Sequence, residues 1–235
     1  MNTFKIVAFS IIPLFIFVLG VFVFKKLLSK RLKRDIKLIN GISLVEGVFF
    51  GIISFVPVFI FSYLLSSVFT NIKSRYFQIV FNSFILSSFV EEGIRLLIII
   101  LICNISKKFC YKDKTKEEFV FSGIIICGVV GFTFGAFENI IYGISSQKII
   151  IARLLTAVLL HGACGIVIGN AVFQKENNPL QGSYIKGLLL AWGCHGVYNM
   201  FCQIAGLYWI SILALILLLW STFLIIKEQK QSLMN

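Results

Sequence analysis

The chain has 235 residues, of which 58% are hydrophobic and only 14% charged, with just three prolines. That balance excludes an ordinary soluble domain and fits a polytopic membrane protein, for which the bilayer is the main solvent. The net charge of +12 would suit a nucleic-acid partner only as a basic patch. The basic residues fall instead in loops beside long apolar runs, where anionic lipid favours them, and no nucleic acid is expected.

Without water to satisfy backbone N–H and C=O groups, a spanning segment must be helical or part of a closed barrel, and long apolar runs decide for helices. The predicted spans are 4–24, 41–69, 77–103, 119–144, 149–173, 184–205 and 207–226, most of them longer than the ~20 residues a crossing needs. They predict an all-α transmembrane bundle of about seven spans, a single integral membrane domain over 1–235. The second and third spans are long enough to be tilted or broken, and little more than Gly206 separates the last two.

Orientation follows from Lys and Arg. The stretches KKLLSKRLKRDIK and KKFCYKDKTK, with Lys175, Lys186, Lys227 and Lys230, put 16 of the 22 basic residues on one side. Lys5, Lys73, Arg75 and Lys148 lie on the other. The chain is therefore expected in a cell membrane, its N-terminus outside and its C-terminus cytoplasmic. The first span lacks a small-residue cleavage signal and its positive flank follows it, so it reads as a retained helix. Six cysteines form no C-x-x-C pair, and five lie in or at the ends of spans, where a thiol behaves as a small hydrophobe.

Against this background, Glu46, Glu91, Glu92, Arg95, Glu138, Arg153, His161, His195 and Asn199 remain inside apolar spans, and both histidines of the chain are among them. An ionisable group at the bilayer centre costs about 2.5–3.5 kcal/mol, so several together are expected to face one another or a wet cavity. Glu46 and Arg153 lie near helix ends and are expected to snorkel to the interface. In SSFVEEGIRLL, Arg95 follows Glu91 by four residues and Glu92 by three, so it can lie under both carboxylates. Adjacent carboxylates diverge by about 100° on a helix, so one can do chemistry while the other orients a partner.

The fourth span, GFTFGAFENIIYG, carries Phe134, Glu138 and Tyr142 on one stripe, with Gly131 and Gly135 as a face for a close neighbour. HGACGIVIG places His161 on a face with Gly165 and Gly169, and HGVYN pairs His195 with Asn199. Carboxylates and imidazoles without a nucleophile suit activation of water, hence hydrolysis. No H-E-x-x-H helix, G-x-S-x-G elbow or Gly-Asp pair occurs. Two readings outside enzymology use the same residues: a proton-coupled transporter, which would tend to show inverted repeats, and a scaffold that binds a transmembrane helix without cutting it.

Taken together, EEGIR (Glu91, Glu92, Arg95), FGAFE (ending in Glu138), HGACG (His161) and HGVYN (His195, Asn199) resemble the PrsW family of intramembrane proteases. That family is related to the type II CAAX prenyl endopeptidases and the bacteriocin-immunity-type membrane proteases. The resemblance covers roughly 85–200, where the catalytic core motifs lie. Arg95 stands where PrsW proteins commonly have Lys, and Asn199 where Asp is common, both leaning toward the CAAX pattern; Glu138, where CAAX proteases have His, leans back to PrsW.

The resemblance implies a bacterial membrane endopeptidase that makes the first, extracytoplasmic-side cut in a single-pass anti-sigma factor during an envelope-stress response. A CAAX-type or bacteriocin-immunity-type membrane protease is the alternative within the superfamily. By similarity to the CAAX relatives, Glu91 and Glu138 would polarise the water with His161 assisting, His195 and Asn199 would stabilise the oxyanion, and Glu92 and Arg95 would orient the site. Glu91, Glu138, His161 and His195 could supply an N/O set for a divalent metal such as Zn²⁺. A metal-free glutamate protease is preferred at this stage, because Arg95 beside the carboxylates disfavours a cation.

Overall fold

The computed structural model describes residues 3–38, 41–68, 73–109, 114–145, 150–177 and 183–234. Cys110, Lys112, Asp113 and Lys148 lie outside the described residues. Within those limits the chain is helical, with no strand, and folds as seven rods. The first is α1 (Thr3–Leu32), and the second is α2 (Gly41–Ile53) continued by α3 (Phe55–Val68). The third joins α4 (Arg75–Phe81), a π-helical segment π1 (Asn82–Phe89) and α5 (Val90–Phe109). The rest are α6 (Lys116–Ser145), α7 (Ile150–Leu155) with α8 (Ala157–Asn177), α9 (Tyr184–Cys202) and α10 (Tyr208–Ser232).

Five rods are long and apolar enough to cross a membrane. The other two are the third and sixth, which carry Glu91, Glu92 and Arg95, and Lys186, His195 and Asn199, so the polar residues themselves lower their hydropathy. The chain is a multi-pass membrane protein. Its outer faces agree: Phe15, Ile16, Phe59, Tyr63, Trp209 and Trp220 are all more than half exposed, as helices solvated by lipid tails allow.

The boundaries differ from the predicted ones for identifiable reasons. The first helix continues beyond 24 to Leu32, because Lys, Leu and Arg are good helix formers, and Leu28 is buried. It ends at Lys33, whose φ is 52°. The second rod breaks at Ser54, where Oγ donates to Gly51 O at 2.7 Å, three residues before Pro57. The last two rods are separated by a turn containing Gly206, whose φ of +82° suits a residue without Cβ.

At the centre stands α6, buried without a break from Glu118 to Ala136. It packs most extensively on α8, and the two backbones nearly touch. A Cβ at Gly131 would lie 2.1 Å from the carbonyl oxygen of His161, and one at Gly165 would lie 2.2 Å from that of Cys127. Only glycine permits this approach at either position. It sets His161 of α8 directly against the stretch of α6 that leads to Glu138.

Candidate active site

The site is built where the third rod changes its winding. In π1 the wider turn breaks the regular i→i−4 ladder, and side chains bond carbonyls along it: Trp192 Nε1 donates to Phe84 O at 2.6 Å and Ser62 Oγ to Leu86 O at 2.9 Å. Ser88 Oγ bonds back to Ser83 O at 2.6 Å. Immediately after this segment α5 begins, with Glu91 and Glu92 in its first turn. Turns of this kind are frequent at functional sites.

Glu92 is fully buried. It pairs with Arg95 and accepts a hydrogen bond from His195 Nδ1 at 2.8 Å. Glu138 does the same for the other imidazole: its Oε2 lies 3.0 Å from His161 Nε2 and accepts from Arg153 Nη2 at 2.6 Å. The structure thus contains two Arg–Glu–His relays, Arg95–Glu92–His195 and Arg153–Glu138–His161. The guanidinium of Arg153 stacks 3.9 Å over the Tyr142 ring, and that of Arg95 lies 5.2 Å over Phe134.

These partners fix the tautomers. A carboxylate only accepts, so His195 donates through Nδ1 and its Nε2 keeps a lone pair when neutral. Arg95 Nη2 stands 3.1 Å from His161 Nδ1 and only donates, so Nδ1 accepts and Nε2 carries the hydrogen toward Glu138. The two inner nitrogens face one atom, Glu91 Oε2, at 3.9 Å from His161 Nδ1 and 3.8 Å from His195 Nε2. That oxygen is buried and makes no hydrogen bond among the described residues. Oε1 of the same carboxylate accepts from Ser87 Oγ at 2.9 Å, and Ser87 accepts from Asn199 Nδ2 at 2.8 Å.

All seven expected site residues therefore fall into one connected cluster, with differences in detail. Arg95 pairs with Glu92 and reaches His161 instead of bridging both carboxylates. Glu138 stands behind His161, and the amide of Asn199 meets Ser87. Arg153 turns inward to Glu138 instead of lying free at the interface, while Glu46 is half-buried on α2 and forms none of these contacts. Sequence reasoning missed Ser87, whose signal was its place four residues before Glu91. Cys164, read as a small hydrophobe, is also close: its sulfur lies within 4.8 Å of ligand atoms of Glu92 and His195.

Three acceptors from three helices thus converge on one point. A family model described as PrsW family intramembrane metalloprotease matches residues 42–226. The chain belongs to the PrsW family. The match takes in α2 to α9 and most of α10, and no curated protein or solved structure matches the chain. Membership makes the protein a membrane protease.

The family description implies a metal without naming one, and the residues present fit a divalent cation. Ligand atoms of Glu91, His161 and His195 lie within 4.8 Å of one another. Around a tetrahedral Zn²⁺ with bonds of about 2.0–2.2 Å, ligands stand roughly 3.3–3.5 Å apart, so the distances of 3.8 and 3.9 Å to Glu91 Oε2 need only slight contraction. Each imidazole also has a carboxylate on its far nitrogen, the arrangement that orients metal-binding histidines elsewhere. Glu138 holds that outer place for His161.

Proposed function

We propose that this protein is an intramembrane endopeptidase that binds a divalent cation through Glu91, His161 and His195 and hydrolyses a peptide bond in a single-pass membrane protein. The carrying observation is the buried Glu91 Oε2, without a hydrogen bond, facing the inner nitrogens of two imidazoles: three acceptors meet there with Arg95 Nη2 on His161 Nδ1 as the donor between them, and a cation in that place would satisfy all three. Arg95, the charge that weighs against one, is itself opposed by Glu92.

When bound, a divalent cation supplies Lewis-acid polarisation of the scissile carbonyl and a lowered pKa for the attacking water. The chain does the rest. Glu92 and Glu138 hold the imidazoles in one tautomer each, so their inner nitrogens stay free of hydrogen. Glu138, on the far nitrogen of His161, orients that imidazole and offsets positive charge developing on it. The surrounding helices exclude bulk water and strengthen each of these interactions.

The sequence resemblance supports an anti-sigma factor as substrate and a cut on the extracytoplasmic side. Glu138 and Arg153 lie at the end of the bundle opposite the basic loops, which agrees with a cytoplasmic C-terminus and an outward-facing site. Arg95 Nη2 beside His161 Nδ1 favours a second reading, in which a water without metal donates to Glu91 Oε2 and His195 Nε2 and Glu91 is the base.

The test compares new protein N-termini in membranes of cells carrying the wild-type chain or Glu91→Gln under envelope stress, at equal abundance. A cut in a single-pass protein that disappears in the variant supports the protease reading and identifies the substrate. Identical profiles under every stress would sink it. Purified wild type that cuts that substrate with full activity after exhaustive chelation would leave the metal-free reading.

A further inference from the structure

Glu91 offers one oxygen to the imidazoles and the other to a serine, and the order of donors in that second chain is unambiguous. An amide N–H cannot accept, so Asn199 Nδ2 donates to Ser87 Oγ at 2.8 Å. The single hydroxyl hydrogen of Ser87 then goes to Glu91 Oε1 at 2.9 Å. Behind Asn199, the amide of Gln203 donates to Asn199 O at 3.0 Å and to Ser83 Oγ at 2.9 Å. The last turn of α9 is thereby pinned to π1 at two points.

We propose that Ser87 is a positioning residue and that Asn199 acts through it, the two forming a relay that fixes the plane of the Glu91 carboxylate and presents Oε2 to His161 and His195. The terminal torsion of a glutamate is soft, and Glu91 Oε2 has no hydrogen bond of its own to hold it. Among the described residues, the hydrogen bond that holds the carboxylate plane is therefore the one to Oε1. Asn199 has its amide committed to Ser87, one side chain away from the reacting atoms, so its task here is to orient Glu91 and not to meet the substrate. The π-helical winding provides the seat: Ser87 lies in π1 and Glu91 in the first turn of α5. The value of this relay to catalysis rests on the function proposed above; its existence does not.

The full-length chain in detergent tests it with two readouts. The first is the infrared carboxylate band of Glu91, isolated as the difference between wild type and Glu91→Gln. The second is affinity for Zn²⁺, measured by competition with a chromogenic chelator. Ser87→Ala is expected to shift the band and to weaken Zn²⁺ binding by about 10-fold or more, as loss of such outer partners does. Ser87→Thr, which keeps the hydroxyl, is expected to restore both. Asn199→Ala should give a smaller shift in the same direction, and the double variant should match Ser87→Ala alone, because both changes cut one chain.

A band unmoved by Ser87→Ala overturns the proposal. So do effects of Ser87→Ala and Asn199→Ala that multiply, since Asn199 would then act independently. Wild type that binds no Zn²⁺ while the band follows the relay removes the metal reading and leaves the relay standing. Should Ser87→Ala fail to fold, Ser87→Cys carries the same comparison with a weaker donor of similar size.

Discussion

His195 and His161 are each held by a carboxylate that is in turn held by an arginine, yet the two relays sit in different surroundings. Glu92 and Arg95 are 0% and 2% exposed, whereas Glu138 and Arg153 keep 16% and 18% of their side chains open. In the closed relay a charge that loses its partner has nothing else to turn to, so the pair is bound up with folding. The open relay keeps some accessible surface, so loss of a partner there strands a charge less completely. On the proposed function, the closed half of the site bears more of the fold than the open half.

The largest break in that comparison is Arg95→Ala. It leaves Glu92 buried and uncompensated, which costs about 3–5 kcal/mol in systems of this kind, and it also removes the donor to His161 Nδ1. A strongly lowered unfolding midpoint in detergent, together with loss of proteolysis, is the expected result. Arg95→Lys should recover part of the stability and less of the activity, since an ammonium cannot reproduce the fork that meets Glu92 and His161 together.

Metal removal comes next and compares the two imidazoles directly. With free Zn²⁺ at 100 times its dissociation constant, the folded chain should gain about 2.7 kcal/mol, lost on chelation. His161→Ala and His195→Ala should each blunt this response to a similar degree, despite their unequal surroundings, because each would supply one ligand in the proposed set. An unfolding midpoint indifferent to Zn²⁺ and chelator in the wild type would refute the ligand set.

Gly131→Ala strikes the open relay from behind. The added methyl meets the backbone of α8 at His161, which cannot give way as a side chain would, and overpacking of this kind costs about 1–3 kcal/mol. The strain falls on the contact of His161 with Glu138, while the Glu92–His195 bond lies on other helices. Zn²⁺ affinity should therefore fall with the His195 side of the site intact, visible as an unchanged imidazole resonance for His195 beside a moved one for His161.

Much of this architecture was legible in the chain itself, because lipid makes every buried charge conspicuous. Glu91, Glu92, Arg95, Glu138, His161, His195 and Asn199 stood out by being ionisable or polar in apolar runs, and the glycine spacing in α6 and α8 announced the close approach that brings His161 to Glu138. What stayed hidden depends on pairing across the fold. Ser87 is one of several serines in its rod and acquires meaning only from Asn199, 112 residues later. Arg153 near a helix end reads as an interfacial anchor until α7 packs on α6 and brings it to Glu138. The π-helical winding before Glu91 has no periodicity signal, since its run NSFILSSF suits an ordinary helix equally well.

Arg153 also sets the smallest and most discriminating test. Removing it should cost less stability than Arg95→Ala, because this pair keeps some accessible surface and that one does not, and should weaken Zn²⁺ binding less than Glu138→Gln, because Glu138 still accepts from His161 without its arginine. The distinguishing feature is salt. Between 0.1 M and 1 M the screening length falls from about 10 to about 3 Å, so the difference between wild type and Arg153→Ala should shrink as ionic strength rises. The corresponding difference for Arg95→Lys should stay constant, because no solvent reaches that pair. Equal salt sensitivity at both arginines would mean that water enters the closed relay as well, and the contrast between the two halves of the site would disappear.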